Sequence, residues 1–269
     1  MNLNNFPFRV TVQTVLESAD RLEEFESRLS LLHELGFYGL ELNLPELDII
    51  TPEALKALLE RYDLTLTYVA TGAYAKKHGL SLSTADEEKR TAAVKGALEN
   101  TRYAEQMDAG IILGFFKGGP AADSDDPERF FRQSLSELCR DKAQSVPVLA
   151  EATNRKETCV LRTLADGKRL LSEINCPSLF ILPDTYHMAI EETDALDAVS
   201  GIISHVRNIH ISDSNRFFPG FGDIDFASLL RKLRSIGFGG TLGIEGNLTK
   251  DFESDIRSCV DYLCSLDLG

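Results

Sequence analysis

The run Val148-Leu149-Ala150-Glu151 joins three apolar residues to a terminal carboxylate, and the second half of the chain contains three further runs of this kind. These lie at residues 180–184, 206–210 and 241–245. A short apolar run is typical of a strand buried in a parallel sheet. Each run therefore predicts a strand, and the four strands end at Glu151, Asp184, His210 and Glu245.

The rest of the chain alternates in the same way between apolar runs and amphipathic stretches. Four earlier strands are predicted at residues 10–15, 39–42, 64–70 and 111–114. The predicted helices cover residues 19–35, stretches opening at 51, 84 and 126, and residues 156–173, 192–200, 226–235 and 251–263. Eight strand–helix units in 269 residues indicate an α/β fold, a (β/α)8 barrel. No linker or low-complexity segment divides the chain, so we expect one domain over residues 1–269.

The carboxyl ends of parallel strands in such a barrel share one rim, which is the active-site face. Three carboxylates and one imidazole on that rim repel each other unless a cation lies between them. Oxygen-rich ligands with a single imidazole suit Mn²⁺, Mg²⁺ or Co²⁺ better than a structural zinc ion. The pattern therefore predicts that Glu151, Asp184, His210 and Glu245 bind one divalent metal.

Further polar residues follow the predicted strand ends. His187 lies three residues after Asp184, a spacing that suits a group hydrogen-bonded to substrate. Arg216 can reach back over the rim. Glu157 falls at the start of a predicted helix, where the helix dipole favours an acid in any case. Glu41 ends the second apolar run, and a structural role inside the barrel and a reach to the substrate are equally compatible with its position.

The loop after the seventh predicted strand is rich in glycine and acid. Gly220 and Gly222 resemble a phosphate-binding loop only weakly, and neighbouring acids argue against phosphate. Asp213 is interpreted as a loop or cap residue. Whether a substrate would be free or phosphorylated stays open, with Lys117 and Arg216 as the candidate phosphate partners.

Composition excludes several classes of function. The net charge is -14, with 42 acidic and 28 basic residues, which disfavours binding to nucleic acid. The five cysteines include no Cys-x-x-Cys pair, which indicates a reduced, cytoplasmic setting. The first residues lack the basic and apolar segments of a signal peptide. No apolar stretch approaches the roughly 18 residues of a membrane span.

The predicted site can carry out proton transfer at carbon. A divalent ion polarises a carbonyl and an adjacent hydroxyl, and so acidifies the neighbouring C–H bond and stabilises an enediolate. Glu151 and Glu245, roughly across the barrel from each other, could exchange protons with that carbon on opposite faces of a sugar. Removal on one face and return on the other is epimerisation, whereas transfer to the next carbon is aldose–ketose isomerisation.

The motifs Glu151-Ala-Thr-Asn-Arg-Lys-Glu157, Asp184-Thr-Tyr-His187, His210-Ile-Ser-Asp-Ser-Asn-Arg216 and Ile244-Glu245-Gly246 resemble those of the xylose isomerase-like barrel superfamily. They are most similar to its sugar isomerase/epimerase branch, which includes ketose 3-epimerases such as the D-tagatose and D-psicose enzymes.

This resemblance implies a metal, often Mn²⁺, on the same four residues, and Glu151 and Glu245 as the acid/base pair. It implies that Glu157, His187 and Arg216 hold a small sugar substrate. The chain has Glu-Ala-Thr-Asn-Arg where those epimerases commonly have Glu-Pro-Leu-Asn-Arg, which leaves the identity of the sugar open. Barrels of this kind often pair, so a homo-oligomer is also open.

The predicted fold and site leave three alternatives to epimerisation. An inosose dehydratase or keto-inositol isomerase would use the same metal and bases, and this alternative stays open on sequence alone. An apurinic endonuclease of the superfamily needs a histidine-rich three-zinc site, whereas this chain has five histidines in all. A non-catalytic sugar-binding barrel would need neither the two bases nor the full ligand set.

Overall fold

The fold is an eight-stranded parallel barrel surrounded by helices, and the computed structural model describes residues 1–140 and 146–269. The strands are β1 Arg9–Val15, β2 Gly39–Asn43, β3 Thr65–Ala70, β4 Gly110–Leu113, β5 Val148–Glu151, β6 Leu179–Leu182, β7 Asn208–Ile211 and β8 Thr241–Ile244. The α-helices of the described residues are α1 Leu22–Glu34, α2 Pro52–Glu60, α3 Gly72–His78, α4 Glu87–Gln106, α5 Pro127–Arg140, α6 Leu164–Ile174, α7 Thr185–Glu191, α8 Ala195–Ser200, α9 Phe226–Ser235 and α10 Phe252–Ser265. The predicted fold class is confirmed.

The hydrogen-bonded strand order is β6-β5-β4-β3-β2-β1-β8-β7, with all paired strands parallel. The barrel is nearly closed, because β6 and β7 meet through a single bridge between Asp184 and His210. In this bridge the backbone N–H of His210 donates to the carbonyl of Pro183 at 2.9 Å. Pro183 has no N–H to offer in return, so the proline ends the regular ladder. We call this junction the β6–β7 seam.

Several predicted helices begin elsewhere, and local capping explains the differences. The helix predicted over residues 156–173 begins at Leu164, because Thr163 and Asp166 form a capping box there. Residues 192–200 form a helix only from Ala195, capped by Asp194. The helix predicted to open at Thr84 is capped by Asp86 instead, and the Thr84 hydroxyl donates to Asp123.

Two short helices were not predicted, α3 and α7. Each follows a strand directly on the catalytic rim and is only seven residues long. Asp184 caps α7, because its carboxylate accepts the backbone N–H groups of Tyr186 at 2.8 Å and His187 at 3.2 Å. The cap points the start of α7 at the rim. Within residues 1–140 and 146–269, no helix has both the length and the apolar character to cross a bilayer.

The main core lies between the strands and the surrounding helices. Gly167 of α6 marks a close contact in this layer, because α6 lies directly on Ile181 of β6. A Cβ added at Gly167 would lie 2.9 Å from Cγ1 and 3.1 Å from both Cδ1 and Cγ2 of Ile181. Ile181 is fully buried and cannot move outward, so the glycine sets the spacing between α6 and the barrel.

Replacing Gly167 by Ala should therefore destabilise the protein by roughly 1–3 kcal/mol through overpacking, although alanine alone favours a helix by about 1 kcal/mol. In an Ile181→Ala background the same change should become neutral or stabilising, because the methyl group then fills a cavity. Urea unfolding of the four proteins of this cycle measures the coupling. A Gly167→Ala protein that is more stable than the wild type would contradict the packing argument.

Candidate metal centre and substrate cavity

Four side chains meet at the carboxyl ends of β5 to β8, which are consecutive around the barrel. Each of Glu151, Asp184, His210 and Glu245 offers one ligand atom, and these four atoms lie within 4.8 Å of one another. The Nδ1 atom of His210 is central, at 2.9 Å from Glu245 Oε2, 3.6 Å from Glu151 Oε1 and 3.8 Å from Asp184 Oδ2. The structure thus brings together the four ligands predicted from the sequence.

Glu41 fixes the imidazole from inside the barrel. Its Oε2 lies 2.8 Å from Nε2 of His210, and its Oε1 accepts from Asn208 Nδ2 at 2.7 Å and Thr11 Oγ1 at 3.2 Å. Because Glu41 accepts at Nε2, the hydrogen of a neutral His210 belongs there, and the lone pair of Nδ1 faces the other three ligands. Of the two roles left open for Glu41, the structure shows the interior one.

Arg216 offsets part of the negative charge of the cluster. Its Nη1 lies 2.6 Å from Asp184 Oδ2 and its Nη2 lies 2.9 Å from Glu245 Oε2. Burial by itself would raise the pKa of Glu245, but the charges of Arg216 and His210 outweigh burial and hold that pKa well below its usual range. Burial would likewise lower the pKa of His210, yet Glu41 and Glu245 raise it well above the ordinary value.

His187 presents a hydrogen-bond donor to the same space. Its Nδ1 lies 2.7 Å from Asn154 Nδ2, while Asn154 Oδ1 accepts the backbone N–H of Lys156 at 2.9 Å. This orientation makes Nδ1 the acceptor and places the ring hydrogen on Nε2. Nε2 is buried, has no hydrogen-bond partner and lies 3.6 Å from Glu151 Oε1.

Glu157 is the most exposed of the three predicted substrate residues. Its side chain is 48% exposed, and its Oε1 lies 4.0 Å from His187 Nδ1. It accepts a hydrogen bond from Asn154 Nδ2 at 3.1 Å. Glu157 is therefore linked to the centre through Asn154, a fully buried residue of the same motif for which no role was predicted.

Lys117 is not available to a phosphate, contrary to the role considered for it. Its side chain is fully buried, and its Nζ donates to the carbonyl of Glu151, to Thr153 Oγ1 at 2.8 Å and to the carbonyl of Leu161 at 3.3 Å. All three ammonium hydrogens have acceptors. Burial lowers the pKa of Lys117 to about 8. Lys117 therefore fixes the carboxyl end of β5 through its hydrogen bonds to Glu151 and Thr153.

The residues present fit a divalent cation. Glu151 Oε1 is buried without a hydrogen-bond partner, and His210 Nδ1 makes no well-aligned hydrogen bond although Glu245 Oε2 lies 2.9 Å away. Unsatisfied buried polar atoms are rare in folded proteins and call for a partner. Three carboxylates and one neutral imidazole form the oxygen-rich donor set typical of Mn²⁺ or Mg²⁺.

A cavity of about 260 Å³ opens beside the ligands. Glu151 and Glu245 both line it, and its other walls come from the first half of the chain: Gln13, Asn43, residues 70–73, Lys76, Ile112, Gly114 and Phe115. A larger cavity of about 590 Å³ lies at the opposite end of the barrel, around Arg9 and Arg207, away from all four ligands. Convergent ionisable groups, rather than size, identify the smaller cavity as the candidate site.

Comparison with known proteins agrees with this architecture. The family model described as "Xylose isomerase-like TIM barrel" matches residues 29–264. The chain is 27% identical over 229 residues to a probable ketose 3-epimerase of Synechocystis sp., covering 81% of this chain and 77% of that protein. It is 28% identical over 238 residues to a 3-dehydro-D-guloside 4-epimerase of Escherichia coli, covering 84% of this chain and 88% of that protein.

Solved structures show the same fold. An L-ribulose 3-epimerase structure superposes with a TM-score of 0.83 at 20% identity and covers 96% of this chain and 93% of that chain. At this identity the likeness concerns the fold, whereas the family match extends over most of the sequence. The chain therefore belongs to the xylose isomerase-like TIM barrel family, among relatives that are sugar epimerases.

Proposed function

We propose that this protein is a divalent-metal-dependent ketose 3-epimerase, with Mn²⁺ as the first candidate metal and Mg²⁺ or Co²⁺ as alternatives. The observation that carries the proposal is the convergence of Glu151, Asp184, His210 and Glu245 within 4.8 Å beside a cavity that both glutamates line. The ketose epimerases among the relatives support the choice of substrate class.

The reaction requires two carboxylates that face one bound sugar. A bound divalent cation supplies the polarisation of the substrate carbonyl and adjacent hydroxyl that acidifies the C3–H bond. One glutamate takes the proton from C3, which leaves an enediolate, and the other glutamate, in its acid form, returns a proton on the opposite face. Glu151 and Glu245 stand at the two ends of the β5–β8 arc, which suits attack from two sides. Glu245 is ionised beside Arg216 and can therefore accept a proton.

The remaining residues orient the substrate. The Nε2 hydrogen of His187 can donate to a sugar oxygen beside Glu151. Arg216 can offset the charge of the enediolate, because its guanidinium lies directly over two of the ligand carboxylates. Gln13 and Asn43 supply amide groups to the cavity wall, where sugar hydroxyls need partners.

A second candidate is epimerisation at C4 of a keto-glycoside. The observation in its favour is the 3-dehydro-D-guloside 4-epimerase, which the chain matches over 84% of its length. A panel of free ketoses and 3-keto-glycosides, followed by solvent deuterium incorporation, separates the two. Deuterium at C3 of a ketose supports the first proposal, and deuterium only at C4 of a glycoside supports the second.

Removal of metal by a chelator should abolish turnover, and Mn²⁺ should restore it. Metal affinity measured by calorimetry should fall as the pH is lowered, because protons compete for His210 Nδ1 and the pKa of this residue is raised in the metal-free protein. Because the pKa of His210 is raised, protons begin to compete with the metal at a higher pH than they would at an ordinary histidine. Full turnover in chelator-treated, metal-free protein would refute the proposal.

Glu151→Gln and Glu245→Gln should each reduce net epimerisation by about 10²–10⁴-fold at saturating metal, because each removes one proton-transfer group. One of the two variants should still exchange deuterium into a single epimer, since abstraction and return on one face need only one base. Glu151→Asp and Glu245→Asp keep a carboxylate and serve as matched controls. Near-wild-type conversion by both Gln variants would exclude these residues as the bases.

Glu41→Gln should weaken metal binding by about 10–100-fold, because the carboxylate that orients His210 becomes a neutral amide. The control is Thr11→Val, which removes another hydrogen bond to Glu41 but leaves the contact between Glu41 and His210 in place. Calorimetric titration of both variants with Mn²⁺ gives the comparison. Equal affinities in the two variants would show that Glu41 does not tune the imidazole.

A further inference from the structure

The loop between β7 and α9 carries Arg216, and a buried carboxylate lies at its centre. Asp213 is 1% exposed, and no ion pair to it is formed by residues 1–140 or 146–269. A buried charge without an opposite charge is costly unless hydrogen bonds satisfy it. The partners of this carboxylate therefore show what it does in the loop.

Three backbone N–H groups supply these hydrogen bonds. Asp213 Oδ1 accepts from the N–H of Ser214 at 2.8 Å and of Ile224 at 3.0 Å, and Oδ2 accepts from Gly220 at 2.9 Å. Bonds from N–H groups to a carboxylate are about twice as strong as bonds between neutral groups. The three donors lie near the beginning, in the middle and near the end of the loop. The Asp213 side chain therefore links these three parts of the loop to one another.

The backbone of Asp213 also holds Arg216 directly. The carbonyl of Asp213 accepts from the N–H of Arg216 at 2.9 Å, and the N–H of Asp213 donates to the carbonyl of Phe217 at 2.8 Å. Arg216 has φ of 64°, in the left-handed region that costs a residue with a Cβ about 1–2 kcal/mol. Its carbonyl accepts from the N–H of Asn247 at 2.7 Å. Such a conformation persists only where the surroundings fix it.

We propose that Asp213 is a positioning residue that holds the Arg216 guanidinium over Asp184 and Glu245 by closing the loop around it. Asp213 itself touches neither of these two carboxylates. The kinetic consequences rest on the proposed function, whereas the placement of Arg216 does not. A purely structural role would instead lower stability and leave the guanidinium where it is.

The first test observes Arg216 itself. In the full-length, metal-free protein, ¹⁵N NMR should show separate Nη signals for Arg216, because its two Nη atoms bind different carboxylates and rotation about Cζ–Nη is hindered. Arg216→Lys assigns the signals. Asp213→Ala should merge or broaden them. The control Asp225→Ala removes a carboxylate of the same loop that caps α9 through the N–H of Ser228 at 2.9 Å, and it should leave them unchanged.

A second variant disturbs the Asp213 carboxylate without replacing Asp213. A Cβ at Gly222 would lie 2.5 Å from Asp213 Oδ1 and 2.6 Å from Ser214 Oγ, so Gly222→Ala should displace the carboxylate while keeping its charge. The Arg216 signals should change as they do in Asp213→Ala. The control is Gly239→Ala, whose added Cβ meets no atom within 4 Å. This pair decides the question even if Asp213→Ala fails to fold.

The kinetic test is a double-mutant cycle on whichever sugar the wild type converts. Asp213→Ala should lower kcat by about 10²-fold, as expected for a displaced catalytic-site group, and should lower it no further in an Arg216→Ala background. Asp213→Asn keeps one acceptor oxygen and should restore part of the loss. Additive losses, or unchanged Arg216 signals in Asp213→Ala and Gly222→Ala, would overturn the proposal. A wild type that converts no sugar would refute the proposed function alone.

Discussion

Repulsion among three carboxylates at the end of one barrel is the constraint to which the surrounding structure responds. Glu151, Asp184 and Glu245 each place a carboxylate oxygen within 4.8 Å of a single imidazole. Side chains from other parts of the chain neutralise or hydrogen-bond the members of this cluster. Arg216 lies across two of the carboxylates, and Glu41 anchors the imidazole from the barrel interior. Each is needed because buried like charges are unfavourable unless they are neutralised or hydrogen-bonded.

The two halves of the barrel contribute different parts of the site. The carboxyl ends of β5 to β8 supply the four candidate ligand atoms, whereas the cavity wall comes mainly from β1 to β4 and from the segments that follow β3 and β4. The two halves meet at Glu151, whose backbone carbonyl is held by buried Lys117 from the loop after β4. Changes in the first half can therefore alter the shape of the cavity without moving the four candidate ligands. This division is consistent with a family that places different substrates over one chemistry.

The fold and the convergence of the four candidate ligands could be predicted because both depend on local patterns. A buried strand reads as an apolar run, and the residue after it must lie on the rim, so Asp184 and Glu245 needed no tertiary information. The contacts of Glu41 and Lys117 could not be read in this way. Both are charged residues whose partners are distant in sequence, and only the closed barrel brings them together.

Some helix boundaries were predicted wrongly for a related reason. The stretch 156–173 has enough helical character throughout, but the segment before Thr163 is drawn into hydrogen bonds with Asn154 and Lys117. Those tertiary bonds, together with the capping box, decide where the helix begins. Arg216 likewise carried no sign in the sequence of its left-handed backbone, which arises from contacts with Asp213 and Asn247.

The β6–β7 seam is the least regular junction between neighbouring strands of the barrel, and it lies beside the four candidate ligands. Each other pair of neighbouring strands shares three or more residue pairs, with one register shift between β2 and β3, but here Asp184 and His210 form an isolated bridge. Amide hydrogen exchange at such a junction is expected to be governed by local opening rather than by global unfolding. Two of the four ligand atoms stand on opposite sides of it. A cation bound by both residues would link the two sides of the seam. Metal binding and closure of the barrel at the seam would then be thermodynamically coupled.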